Sequence, residues 1–162
     1  MEKETMIIRF ANENDYTELA MMKWEHAAED DIEYGEKNTD GVDKECFIYE
    51  FVEFLQKHNE YMIFVAEENG IIASAMFVHL IPKLPKPNGQ AEYIAYLTNV
   101  FTKIEFRSKG IGSKLLTYIK EYLIGMKCEL LFAWPSEGSV KWYARNGFCQ
   151  ENDIAECLLT DE

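Results

Sequence analysis

An α/β fold on a mixed sheet is predicted by three features of the chain. Residues 61–81, "YMIFVAEENGIIASAMFVHLI", hold two β-rich runs around Glu-Asn-Gly. Asn-Gly is the strongest short hairpin signal, so these runs pair antiparallel. Residues 91–134 read strand, helix, strand, an order that implies parallel pairing through a right-handed crossover. A strand and then a helix open the chain.

The elements follow in order. Residues 6–12, "MIIRFAN", form the first strand candidate. Asn14 or Asp15 then N-caps a helix in which Tyr16, Leu19, Met22 and His26 recur at three- and four-residue steps. Residues 29–45, "EDDIEYGEKNTDGVDKE", are dense in carboxylates and hold two glycines, which predicts a solvated loop. Residues 46–58 carry Phe47, Phe51, Phe54 and Leu55 on one helical face. After the hairpin, the prolines at 82, 85 and 87 cannot donate ladder hydrogen bonds, so residues 82–90 are an exposed connection. Residues 91–102 are rich in β-branched and aromatic side chains and read as a strand. A loop leads to a helix over 111–124, with Ile111, Leu115, Leu116, Ile119 and Leu123 inward and Gly125 at its C′ position. Residues 128–134 make a short apolar strand, residues 140–145 a short helix, and residues 148–159 one or two closing strands. There is no internal repeat.

At 162 residues, 48% of them hydrophobic, the chain is expected to form one domain over 1–162 with its own core. Sixteen Lys and Arg against 29 Asp and Glu leave a formal charge of −13, which repels phosphate backbones and disfavours a nucleic-acid partner. Cys46, Cys128, Cys149 and Cys157 form no CxxC pair and no cluster with histidine, so neither a metal site nor a disulfide framework is indicated, and reduced thiols fit the cytoplasm. The first ten residues lack the apolar core of a signal peptide, and the longest apolar stretch, residues 71–81, is too short to span a bilayer. No membrane partner is expected.

One stretch carries chemistry. In "FRSKGIGSKLL", residues 106–116, Arg107 and Lys109 accompany Gly110 and Gly112 at the mouth of a helix. A helix N-terminus offers unsatisfied N–H groups and about half a positive charge, and glycines there leave an anion room to approach. Two cationic side chains on one turn suit a diphosphate better than a single carboxylate. The Walker pattern GxxxxGK[ST] does not fit, because no glycine stands five residues before Gly112 and Lys114 is not adjacent to it. The dinucleotide pattern GxGxxG fails at Leu115.

The pattern that fits is RxxGxG, from Arg107 to Gly112, which resembles the pyrophosphate loop of the GNAT acetyltransferases. Residues 98–116 resemble that family's strand, acidic-aromatic loop, glycine turn and helix in order and spacing, with Ile104 where a proline often stands. Residues 134–148 resemble its closing helix through Trp142, Tyr143, Arg145, Gly147 and Phe148, and residues 7–19 look like its usual start. The resemblance thus covers nearly the whole chain. It implies a GNAT fold, a mixed sheet of six to seven strands with splayed central parallel strands and about four helices.

It also implies acetyl-CoA as co-substrate, without metal. The pantetheine arm would pair with the strand at Val100 and Thr102 as an added ladder. The pyrophosphate would lie on N–H groups of Ser108, Lys109, Gly110, Ile111, Gly112 and Ser113, with charge from Arg107 and Lys109. Ser136 stands where many relatives carry an asparagine; its hydroxyl either bonds the cofactor arm or caps the following helix. A backbone N–H near Asn99 or Val100 would stabilise the developing oxyanion. Tyr143 matches the family's general acid, protonating the departing thiolate; the competing role is aromatic packing of the last helix. Trp134 either lines the acceptor pocket or packs in the core.

The acceptor implied is a primary amine of a small metabolite, polyamine or peptide. Its ammonium must lose a proton, and Glu92, Asp31 and Glu33 are the carboxylates considered as base. His26, His58 and His79 show no partner in the sequence, so none is nominated. A homodimer is common among relatives, although no feature of the sequence demonstrates it. The alternative to an N-acetyltransferase is a non-catalytic acyl-CoA-binding regulatory module; a purely structural domain would leave the paired motifs unexplained.

Overall fold

The computed structural model describes residues 5–89, 92–150 and 154–159. They form β1 (Met6–Phe10), α1 (Tyr16–Tyr34), α2 (Lys44–Lys57), β2 (Tyr61–Glu68), β3 (Ile71–Pro82), β4 (Tyr93–Thr102), α3 (Ile111–Gly125), β5 (Cys128–Phe132) and α4 (Val140–Arg145), with 3₁₀ turns before α1, α3 and α4. The five strands lie in the order β1-β2-β3-β4-β5. All neighbours are antiparallel except β4 and β5, which run parallel across α3 as the crossover rule requires.

The hairpin forms as expected. Asn69 and Gly70 take φ of 52° and 81°, the paired left-handed conformations of a type I′ turn, and set Glu68 opposite Ile71. The sheet falls short of the expected six to seven strands. Among the described residues none after Phe132 is in a strand. Ile154, Leu158 and Leu159 do not alternate with polar residues at a period of two, and all three are exposed. The expected start of β4 at Ala91 lies outside the described residues.

Two other expectations need correction. The carboxylate-rich segment is helical as far as Tyr34, where Gly35 at φ 68° ends α1. Composition misleads there because the helix turns its last acidic turns toward a cleft rather than a core, which erases the apolar periodicity. At the other end of the sheet Gly125 is still helical, and Lys127, at φ 60°, makes the left-handed exit from α3.

The sheet is covered on both faces. Phe64, Met76, Val78 and Leu97 pack against Leu115, Leu116, Ile119 and Leu123 of α3. The alternate residues Val65, Phe77 and Phe101 pack against Leu19 and Met22 of α1 and Leu55 of α2. Arg9 of β1 holds the buried Asp15 through two hydrogen bonds, 2.7 and 3.0 Å, and also reaches Glu67, fixing the entry to α1. Among the described residues no helix is long and apolar enough to cross a membrane.

Candidate active site

The parallel pair parts in the middle of the sheet. Tyr93 to Tyr96 of β4 face Cys128 to Phe132 of β5, but residues 97–102 have only β3 beside them. Pairing with β3 also breaks there: Phe77 faces Thr98 and Ala75 faces Phe101, leaving a bulge that holds Asn99 at φ 50°. The Asn99 side-chain oxygen is buried, with no hydrogen-bond partner among the described residues. A cleft of about 590 Å³ opens at this point and takes its walls from both faces of the sheet.

The wall on the α3 side includes the turn that opens that helix. Gly110, at φ 75°, is the N-cap of α3 without any side-chain cap, and Ser108 is left-handed at φ 63°. The two glycines serve different ends. A Cβ on Gly110 would meet nothing within 4 Å, so its backbone angle is what demands glycine. One on Gly112 would stand 3.2 Å from Thr102 Oγ1 and 3.6 Å from Trp142 Cζ2, so that glycine lets α3 approach β4 and α4. Arg107, Gly110, Gly112, Ser113, Val100 and Thr102 line the cleft. Ser108 and Lys109 are outside its lining, and the Ile111 side chain is buried in the core.

The cations of this turn each face a carboxylate. Arg107 donates from Nε to the Thr102 carbonyl at 2.8 Å and from Nη2 to the Glu29 carboxylate at 2.7 and 3.0 Å, with its guanidinium 5.3 Å from the Phe101 ring centroid. Lys109 Nζ is 3.9 Å from Glu68 and lies over Phe106.

Tyr143 and Trp142 of α4 close the same wall. Tyr143 is buried, edge-on to Trp142 and Phe148, and burial, with Tyr96 nearby, pushes its phenol up to about 12. It is therefore protonated at neutral pH. Ser136 lines the cleft and starts the turn before α4 without capping it by its side chain; its hydroxyl donates to Ser139 Oγ at 3.0 Å. Trp134 also lines the cleft, exposed and edge-on to Tyr96 and Phe132, not in the core.

The opposite wall is the face of α1 carrying Lys23, His26, Glu29, Asp30, Glu33 and Tyr34. His26 lies flat on Phe101, ring centroids 5.2 Å apart and planes 20° off parallel, with Nε2 3.7 Å from Asp30 Oδ2. Burial pushes the imidazole below its ordinary 6.5, partly countered by Asp30. It also lowers the Lys23 ammonium and raises the Asp30 carboxyl. The Tyr34 hydroxyl accepts from the Gly138 N–H at 3.0 Å, tying the end of α1 to the loop before α4.

Sequence reasoning passed over His26, Asp30 and Lys23. Their three- and four-residue spacing, continued by Glu33, marks one helical face, but the ring that turns His26 toward the cleft is 75 residues away. Of the carboxylates considered as base, Glu33 lines the cleft and the other two do not. Asp31 accepts from the Asn38 and Thr39 amides and the Thr39 hydroxyl, and Glu92 lies 3.8 Å from Lys127 beside a separate pocket. Among the described residues no group of three or more His, Cys, Asp or Glu could hold a metal ion.

Known proteins agree with this architecture. No curated protein matches the sequence at a significant level. A predicted acetyltransferase with acetyl-CoA from Clostridium acetobutylicum is similar in structure at a TM-score of 0.70 and 21% identity, over 96% of this chain and 97% of that one. A GCN5-related N-acetyltransferase from Ralstonia eutropha gives 0.70 at 17% identity, over 95% and 99%. Glucosamine-6-phosphate N-acetyltransferase from Arabidopsis thaliana gives 0.62 at 20%, over 97% and 100%. At these identities the likeness is one of fold. The family model described as "Acetyltransferase (GNAT) family" matches residues 18–148, spanning α1 through α4. The chain therefore belongs to the GNAT acetyltransferases, a family that transfers acetyl groups from acetyl-CoA.

Proposed function

We propose that the protein transfers the acetyl group of acetyl-CoA to a primary amine of a small molecule, polyamine or peptide, in a ternary complex. The observation that carries the reading is the cleft through the sheet, with the glycine turn and Tyr143 on one wall and an acidic helix on the other. Two substrates can then meet from opposite faces at the strand bulge.

The residues fit the donor. Val100 and Thr102 lie on the stretch of β4 without a β5 partner, where an amide-bearing arm can add as a ladder. The N–H groups of residues 108–113 suit a diphosphate at the α3 N-terminus, and Ser136 lines the same cleft with a hydroxyl that the arm could use. Acetyl-CoA supplies an activated thioester. The backbone at Asn99 and Val100 donates to the carbonyl oxygen as it gains charge. Tyr143, a phenol protonated at neutral pH, gives its proton to the departing sulfur.

The amine class is supported by the opposing wall. Asp30 and Glu33 place carboxylates beside Lys23 where the acceptor would enter, Glu29 being paired with Arg107, in a chain of net charge −13. The test is a screen of spermidine, glucosamine 6-phosphate and a lysine-containing peptide with acetyl-CoA, following thiol release. Acetylation of nitrogen, verified by mass spectrometry, is expected for at least one. Thiol release only with hydroxyl acceptors would overturn the reading.

A further inference from the structure

We propose that His26 is the general base of the transfer, its Nε2 taking a proton from the acceptor ammonium on the α1 side of the cleft while Asp30 stabilises the imidazolium that forms. The inference rests on the amine-acetylation reading above and supplies the proton acceptor that reading lacks.

Placement comes first. His26 is stacked on Phe101, two residues beyond the Asn99 bulge, so the ring sits beside the part of β4 that β5 has left. Tyr143 approaches from the other face of the sheet, in the same cleft. An amine entering along α1 therefore passes His26 before reaching the bulge, while the departing sulfur lies toward Tyr143. Acid and base stand on opposite sides of the reacting bond, as addition and departure require.

The ring's own environment selects the atom. Nδ1 is buried without a hydrogen-bond partner among the described residues, whereas the side chain as a whole keeps 27% of its exposure. Nε2 is thus the nitrogen open to a ligand. Once protonated it faces the Asp30 carboxylate at 3.7 Å, which stabilises the cation.

Neighbouring charges leave this role to His26. Lys23, Glu29 and Asp30 of α1 and Arg107 of the loop before α3 face the ring. Arg107 and Glu29 bind each other, so neither is free for the proton. Lys23 disfavours an added charge and Asp30 favours it, while burial keeps the resting imidazole neutral and ready to accept. The same burial acts against the positive charge of the entering ammonium, which narrows the gap between donor and acceptor.

The step balances. One proton passes from the ammonium nitrogen to Nε2, the freed lone pair forms the C–N bond while the carbonyl π pair moves to oxygen, and as that pair returns the C–S bond breaks and the sulfur is protonated from Tyr143. The amide nitrogen loses its second proton to water, and both side chains return to their resting states by exchange with solvent.

His26→Phe keeps an aromatic ring on Phe101 and removes both nitrogens, so a packing role would survive it and proton transfer would not. With whichever amine of the screen is acetylated, kcat/KM should fall about 10²-fold or more, with acetyl-CoA affinity by calorimetry within about twofold. In the native protein kcat/KM should decline as pH drops through a value below 6.5, and this limb should vanish in His26→Phe. Asp30→Asn, which leaves the stack untouched, should move the limb to lower pH, and a ¹⁵N titration of His26 should follow it. A His26→Phe enzyme with unchanged kcat/KM and pH profile, beside an active native protein, would overturn the base assignment alone. A native protein that acetylates no amine would overturn the functional reading, and this inference with it.

Discussion

The turn at residues 106–113 and the α1 wall across the cleft hold their chemistry in different ways. On the turn it is in the main chain: a helix N-terminus, two left-handed residues at Ser108 and Gly110, and a close approach at Gly112. Its cations are occupied elsewhere, Arg107 by Glu29 and Lys109 near Glu68. On α1 it is wholly in side chains, whose protonation is set by burial and by one another. A main-chain site tolerates loss of its charged side chains but not a change of backbone or close packing. A side-chain site is undone by one substitution that leaves the backbone alone.

Substitutions on the two sides should separate accordingly. The largest effect is expected at Gly112. Gly112→Asp puts a Cβ 3.2 Å from Thr102 Oγ1 and a negative charge beside the diphosphate position, and unfavourable terms of several kcal/mol should weaken acetyl-CoA binding by at least ~10²-fold in calorimetry. Affinity near that of the native protein would place the diphosphate elsewhere than on this turn. Tyr143→Phe should lower kcat by about 10²-fold with acetyl-CoA affinity unchanged, since only the proton is removed. Unchanged turnover would take the acid role from Tyr143.

Smaller effects sharpen the contrast. Arg107→Ala frees Glu29 and should weaken acetyl-CoA binding by less than about tenfold, because a partly exposed charge pair is worth about 1 kcal/mol or less. Away from the cleft, Asp15→Asn should cost about 2 kcal/mol of stability by denaturant melt at pH 7, since it removes a buried hydrogen bond to a charged partner. Arg9 holds the Asp15 carboxyl below its ordinary 3.8. Its folded-state value is therefore depressed, so the contribution is present above the unfolded value and is lost as pH falls through the folded one. The acid decline in stability should be shallower in Asp15→Asn.

What could be read from the chain follows the same division. Asn69-Gly70 and the Arg107-to-Gly112 spacing are local demands of backbone geometry, so the hairpin and the turn stand in the sequence as written. The inward face of α3 is equally local, five apolar residues at helical steps that are all buried. The far wall is not local. His26 gains its orientation from Phe101, and the last turns of α1 look like a loop because a helix facing a cleft needs no apolar stripe. The closing strand is absent among the described residues because Ile154, Leu158 and Leu159 lack the two-residue alternation that a half-buried strand needs.

The cleft brings the two walls together at the strand bulge. A crystal structure with acetyl-CoA tests this most directly. The diphosphate is expected on the N–H groups of residues 108–113 and the thioester carbonyl beside Asn99 and Val100, with its open side toward His26. A nucleotide bound outside this cleft, or an acetyl group turned away from α1, would contradict it.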